Sequence, residues 1–143
     1  MADVEEALQA GREAAAASVR DVVFLPNVHP GVVAGIRGAR REATAEALGV
    51  IETDTVSATI RAADAGLKGA RVRLLELRLA DDLGGKGYLL FGGPVSEVEA
   101  AVEIGVAAAG AADRLAWQII AQLHAEMAQN LAADARFAAR LRE

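Results

Sequence analysis

Arg71-Val72-Arg73-Leu74-Leu75-Glu76-Leu77-Arg78-Leu79, then Ala80-Asp81-Asp82-Leu83-Gly84-Gly85, then Lys86-Gly87-Tyr88-Leu89-Leu90-Phe91, is the stretch that decides the fold. The first run alternates with period two, apolar at Val72 and Leu74 and then at Leu75, Leu77 and Leu79, so it reads as a strand. The phase slips once, at Leu74-Leu75, which predicts a bulge, and Arg73, Glu76 and Arg78 mark the wetter face. The glycine-rich loop and the second apolar run complete a hairpin. Upstream, Ala47 to Thr53 predicts a strand, and Val56 to Ala70 an amphipathic helix with Val56, Ile60, Ala63 and Leu67 on one face. Downstream, Gly92-Gly93-Pro94 opens a helix to about Ala112, with Pro94 near its first position and Glu97 and Glu99 in its first turns. Leu115 to Ala121 reads as a fourth strand and Ala125 to Arg140 as a last helix. Strand, helix, hairpin, helix, strand predicts an α+β fold: a four-stranded, antiparallel-containing, ferredoxin-like sheet with helices packed on it.

The first 46 residues are organised differently. Asp3 to Ser18 predicts a helix with Val4, Leu8 and Ala15 available for one face. Asp21 to Asn27 predicts a short strand ended by Pro26, Pro30 to Ile36 one or two helical turns, and Gly38 to Glu46 a polar connector. This segment repeats the C-terminal one. Val4-Glu5-x-Ala7-x-x-x-Gly11 matches Val98-Glu99-x-Ala101-x-x-x-Gly105, 94 positions on. In both copies an alanine-rich stretch and an apolar run follow, then Asn27-Val28-His29 against Gln122-Leu123-His124, one position out of step. The expected organisation is therefore residues 1–46 as the last third of a preceding domain plus a linker, and residues 47–143 as a complete domain.

Composition sets bounds on function. The chain has 143 residues, 53% hydrophobic and 24% charged, enough for one domain with its own core. Aromatics are 3% of the chain, so the core must be aliphatic and built on close approaches at Ala and Gly. A net charge of −5 offers no basic field for nucleic acid or anionic lipid. With no cysteine, disulfides, thiol nucleophiles and iron–sulfur ligation are excluded. The acidic N-terminus is unlike a signal peptide, and no apolar stretch reaches the roughly 18 residues of a membrane helix, so a cytoplasmic location is expected.

No catalytic constellation is present. Gly84-Gly85-Lys86-Gly87 joins two strands and lacks the hydroxyl residue of a P-loop, so nucleotide binding is not expected. The adjacent carboxylates Asp81 and Asp82 form a solvated turn in one chain, and matter only if symmetry gathers several copies. His29 and His124 lack metal-ligand spacing and read as packing or hydrogen-bonding residues. Ser57 and Ser96 stand where helices begin, which suits capping or first-turn roles. No cofactor or metal is expected.

Ala47-Leu48-Gly49-Val50-Ile51-Glu52-Thr53, then Ala62-Ala63-Asp64-x-x-x-Lys68-x-Ala70, the loop ending Gly84-Gly85-Lys86, and Gly92-Gly93-x-Val95-x-x-Val98 together resemble the shell domain of bacterial microcompartments. The order and spacing agree over roughly 47–124. The stretch from Val22 to Pro30, with the connector and Ala47, resembles the junction in tandem-domain members such as the propanediol-utilisation type. Three departures stand out. Pro94 replaces an aspartate, Gln122-Leu123-His124 replaces an Arg-Pro-His edge motif, and the cysteine that holds an iron–sulfur cluster in some tandem members is missing. The resemblance implies a structural shell protein that tiles with copies of itself and with other shell proteins. It implies a homohexamer, or a trimer if the N-terminal third takes a neighbour's place. It also implies a central pore for small metabolites lined by Asp81, Asp82, Leu83, Gly84, Gly85 and Lys86, with Asp81 and Leu83 both open as its narrowest point. Lys68 and His124 would lie at tile edges. The alternative reading is a small-molecule-binding regulatory α+β domain acting as a discrete oligomer.

Overall fold

The computed structural model describes residues 2–39, 45–80, 82–110 and 115–133. Four strands, β1 (Ala47–Thr53), β2 (Arg73–Leu79), β3 (Gly87–Gly93) and β4 (Ala116–Ile120), form one sheet in the order β2-β3-β1-β4, every neighbouring pair antiparallel. The helices are α1 (Ala2–Ala15), α2 (Pro30–Ile36), α3 (Val56–Gly69), α4 (Val95–Ala109) and α5 (Ala125–Ala133), with a single 3-10 turn at Ala16–Ser18. The expected α+β architecture is the observed one.

The pleat sorts the strand residues onto two faces. Ala47, Ile51, Leu74, Leu77, Leu89 and Phe91 face α3 and α4 in the main core, which also holds Ala58, Ala62, Ala63, Val98, Ala101 and Val102. Leu48, Leu75 and Leu90 face the other way, under Leu123, Ala128 and Leu131 around α5. The bulge falls where the phase slips. Leu74 pairs with Phe91 and Glu76 with Leu90, so Leu75 is the extra residue, and it turns from the main core to the α5 side.

Glu76, expected on the wetter face of β2, is instead buried, 3% exposed, with Arg78 at 3.6 Å. Two further expectations are corrected. On α3 the fully covered residues are mostly small or polar, namely Ala58, Thr59, Ala62, Ala63, Asp64 and Gly66, while Ile60 and Leu67 are only partly buried. The cause is a close helix pair. A Cβ on Gly105 would stand 3.1 Å from the carbonyl oxygen of Ala62, and one on Gly66 3.0 Å from that of Ala101. Larger residues on those lines would hold the helices apart. The hydroxyls of Thr53 and Thr59, both fully buried, lie 2.7 Å apart; one donates to the other, whose own proton goes to the Thr55 carbonyl.

The second correction concerns Asp21 to Asn27, which forms no strand. The segment runs instead along α3 and the end of α4, where Arg61 holds it, and a strand needs a neighbouring ladder to exist. After it, α2 packs on β2, placing Val32 in the main core and Gly35 against Leu74 and Leu77. The N-terminal segment is thus anchored by α2, while α1 buries no residue.

Candidate functional site

The hairpin loop is the site that the sequence singles out. Ala80 N–H donates to the Lys86 carbonyl at 2.8 Å, closing the loop, and Lys86 N–H donates back to Leu83 at 3.3 Å. Between these bonds the backbone turns through left-handed conformations at Ala80 (φ 59°), Asp82 (φ 57°), Gly84 (φ 63°) and Gly85 (φ 90°). Glycine takes this region freely; alanine and aspartate adopt it at a cost of about 1 kcal/mol or more. Asp82, Gly84 and Gly85 are exposed, and Leu83 and Lys86 are half-buried. Asp81 lies outside the described residues. Lys86 reaches across to Glu52 of β1, Nζ to Oε1 3.2 Å, so its charge is compensated while the Asp82 carboxylate faces solvent. The loop therefore presents an acidic tip, Asp82, at the end of the β2–β3 hairpin.

The two expected edge residues stand apart from that loop. Lys68, at the end of α3, pairs with the buried carboxylate of Asp64 one turn earlier at 2.5 Å. Asp64 also accepts the His29 backbone N–H at 2.7 Å, so it ties α3 to the N-terminal segment. His124 is exposed, and its Nδ1 accepts the Glu126 N–H at 3.3 Å at the start of α5. His29 does the same for α2, accepting the Gly31 N–H at 3.0 Å. Both histidines are helix caps. At the start of α3 it is Thr55 that caps, accepting the Ala58 N–H at 3.1 Å, and Ser57 lies within the first turn. At α4, Pro94 stands before the first turn, which contains Ser96, and makes no side-chain cap.

Two ion pairs fix the surroundings. Arg61 of α3 grips both carboxylate oxygens of Asp21 at 3.1 and 2.9 Å and also donates to the carbonyls of Val22 and Ala109. Partial burial pushes the Asp21 carboxyl up, but hydrogen bonds from Arg61, Thr55 and the Val22 N–H, with the Arg61 charge, outweigh it. The result is a carboxyl held below its ordinary value. Glu97, in the first turn of α4, accepts the Arg71 backbone N–H at 2.7 Å and its guanidinium at 2.9 and 3.1 Å. That backbone bond first, then the guanidinium, lowers its carboxyl too.

Asp64 and Glu52 stand within the motifs quoted from the sequence, but neither their ion pairs nor that of Arg61 is read there. The i, i+4 spacing of Asp64 and Lys68 was a usable signal. The Lys86–Glu52 and Arg61–Asp21 pairs join residues 34 and 40 positions apart, which only the fold brings together. Among the described residues no three His, Cys, Asp or Glu side chains are grouped as a metal site, and no helix is long and apolar enough to cross a membrane.

Comparison with known proteins agrees with this geometry. Residues 47–123 match the BMC domain family. The bacterial microcompartment shell protein PduT of Citrobacter freundii is 34% identical over 125 residues, covering 87% of this chain and 68% of that protein. The carboxysome shell protein CcmK3 of a Halothece species is 46% identical over 63 residues, 44% of this chain and 60% of that one. Among solved structures, a microcompartment protein from Desulfitobacterium hafniense superposes with a TM-score of 0.77 at 36% identity, covering 90% of this chain and 72% of that chain. From β1 to just past β4 the matched span contains the whole sheet and the acidic hairpin loop, and the chain belongs to the BMC domain family, with a structural shell role.

Proposed function

We propose that this protein is a tile of a bacterial microcompartment shell in the cytoplasm, self-assembling with copies of itself and with other shell proteins. Six copies form a flat cyclic ring, with three as the alternative arrangement if the N-terminal segment takes a neighbour's position. The hairpin loops Asp81 to Lys86 gather around the axis as a pore. The observation that carries the pore reading is the loop itself: closed by backbone bonds, shaped by four left-handed residues, and acidic at its exposed tip. A ring of Asp82 side chains, with Lys86 compensated by Glu52, favours cations and neutral polar metabolites over anions. Lys68 and His124 lie at the edges where tiles meet. Residues 1–46 are read as the last third of a preceding BMC domain with its linker, because helix, extended run and histidine-capped helix recur in the same order.

Electron microscopy of the purified protein at high concentration tests this reading. Extended sheets or tubes with a hexagonal lattice support a tile. Isolated dimers that bind a small molecule between subunits would instead support the regulatory-domain alternative.

A further inference from the structure

Among the described residues α1 packs against no other helix and no strand. Its 14 residues bury no side chain, and a helix of that length is marginal in water on its own. Its stripe Ala7, Leu8 and Gly11 looks into a groove of about 490 Å³ facing Thr55 and Val56 at the start of α3. A Cβ on Gly11 would meet nothing within 4 Å, so nothing among the described residues calls for a glycine in mid-helix, where it costs about 1 kcal/mol relative to alanine.

The counterpart helix supplies the reason. At the repeat spacing Val4, Ala7, Leu8, Gly11 and Ala15 correspond to Val98, Ala101, Val102, Gly105 and Ala109 of α4, and each of those is buried. Val98 is 0% exposed where Val4 is 57% exposed. Gly105 lies against Ile51 of β1 and the Ala62 carbonyl of α3, and Val98 and Val102 rest over Gly49 of β1. The charges correspond as well. Asp3 occupies the place of Glu97, whose carboxylate takes the backbone N–H and guanidinium of Arg71 just beyond α3. At the half-buried margin the two helices differ: Glu6, Ala10 and Arg12 stand where α4 has Ala100, Ile104 and Val106, and there the stems of Glu6 and Arg12 can pack while their heads reach water.

We infer that the α1 face Val4–Ala7–Leu8–Gly11 is a docking surface for a strand–helix–hairpin unit of a BMC domain from outside residues 1–143, seated as β1 and α3 seat α4, with Asp3 on that unit's counterpart of Arg71. The inference rests on reading residues 1–46 as the last third of a BMC domain. The unit cannot be the one within this chain, because its own α4 covers that surface.

The test uses the full chain with residues 45–93 of the same sequence, carrying a solubility tag, as the co-expressed probe. The expected result is a one-to-one complex on size exclusion, with at least tenfold slower amide hydrogen exchange along α1. Gly11→Leu should abolish the complex while leaving thermal unfolding of the domain unchanged, and Asp3→Arg should weaken it. A second format, in which the probe is joined ahead of Ala2 by a flexible Gly/Ser linker, removes any dependence on probe solubility. No protection of α1 in the linked form, or a complex indifferent to Gly11→Leu, overturns the inference. So does protection of α1 in the chain alone that is lost with Gly11→Leu, since a second copy would then be the occupant. Lattice formation in the microscope is scored separately, so the tile reading can fail or stand apart from this result.

Discussion

Arg61 and Asp21, 40 residues apart in sequence, form a two-pronged ion pair that fastens the extended segment before α2 onto α3. Because the Asp21 carboxyl is held below its ordinary value, its contribution to stability is fully present above the unfolded value near pH 4, and disappears as pH falls through the lower folded value. Asp21→Asn should therefore cost about 1 kcal/mol at neutral pH, with the gap to wild type closing as pH falls through the lowered folded value of Asp21. Urea unfolding at a series of pH values measures this. A gap that stays constant with pH would assign the loss to shape instead of charge.

Lys68 is committed to Asp64, so removing it does more than clear a surface charge. Lys68→Ala leaves a buried carboxylate with the His29 N–H and no counter-charge, and should cost about 1–3 kcal/mol. Adding Asp64→Asn to Lys68→Ala should give a smaller total loss than the two single variants summed. A loss of lattices in Lys68→Ala is thus informative about tile edges only when compared with that double variant. Equilibrium denaturation of the four proteins provides the cycle.

Gly11 and Gly105 occupy matching places in the repeat but have opposite surroundings. Gly105→Ala should destabilise by about 1–3 kcal/mol, since its Cβ meets Ile51 at 2.9 Å and a backbone carbonyl at 3.1 Å. Gly11→Ala should be neutral or stabilising by up to about 1 kcal/mol in the isolated chain. Circular dichroism during thermal unfolding distinguishes the two.

Ala80 carries a left-handed backbone without the freedom of glycine. Ala80→Gly should raise the stability of the hairpin by about 0.5–1 kcal/mol, and hydrogen exchange at Leu79 and Gly87 reads the local effect.

For the proposed pore, Asp81→Lys with Asp82→Lys should reverse the charge preference of permeation in shells or ring-loaded bilayers. Unchanged permeation would remove this loop from the pore.

Much of this was legible in the primary structure because it rests on local rules. Alternation located β2, the slip at Leu74-Leu75 located the bulge, and Gly84-Gly85 located the turn. What escaped depended on neighbours far along the chain. Asp21 to Asn27 has strand-like residues, yet strand formation is a property of a ladder, and here Arg61 offers side-chain bonds where a strand partner would be needed. On α3 the periodicity of large residues pointed to Val56 and Leu67, whereas contact with α4 selects the small face, because what is scarce between two close helices is room. The loop was recognised in advance by its glycines, but the Glu52 that compensates Lys86 sits on a strand with no local mark of that role.

The left-handed residues of the loop carry one more consequence. Its outline is set by main-chain torsions and by the Ala80 and Lys86 amides, not by what residues 82 and 83 carry on their Cβ atoms. Contour and chemistry at the tip are thereby uncoupled. An amide could replace the Asp82 carboxylate and keep the same bend, which makes this hairpin a fixed frame with a replaceable lens.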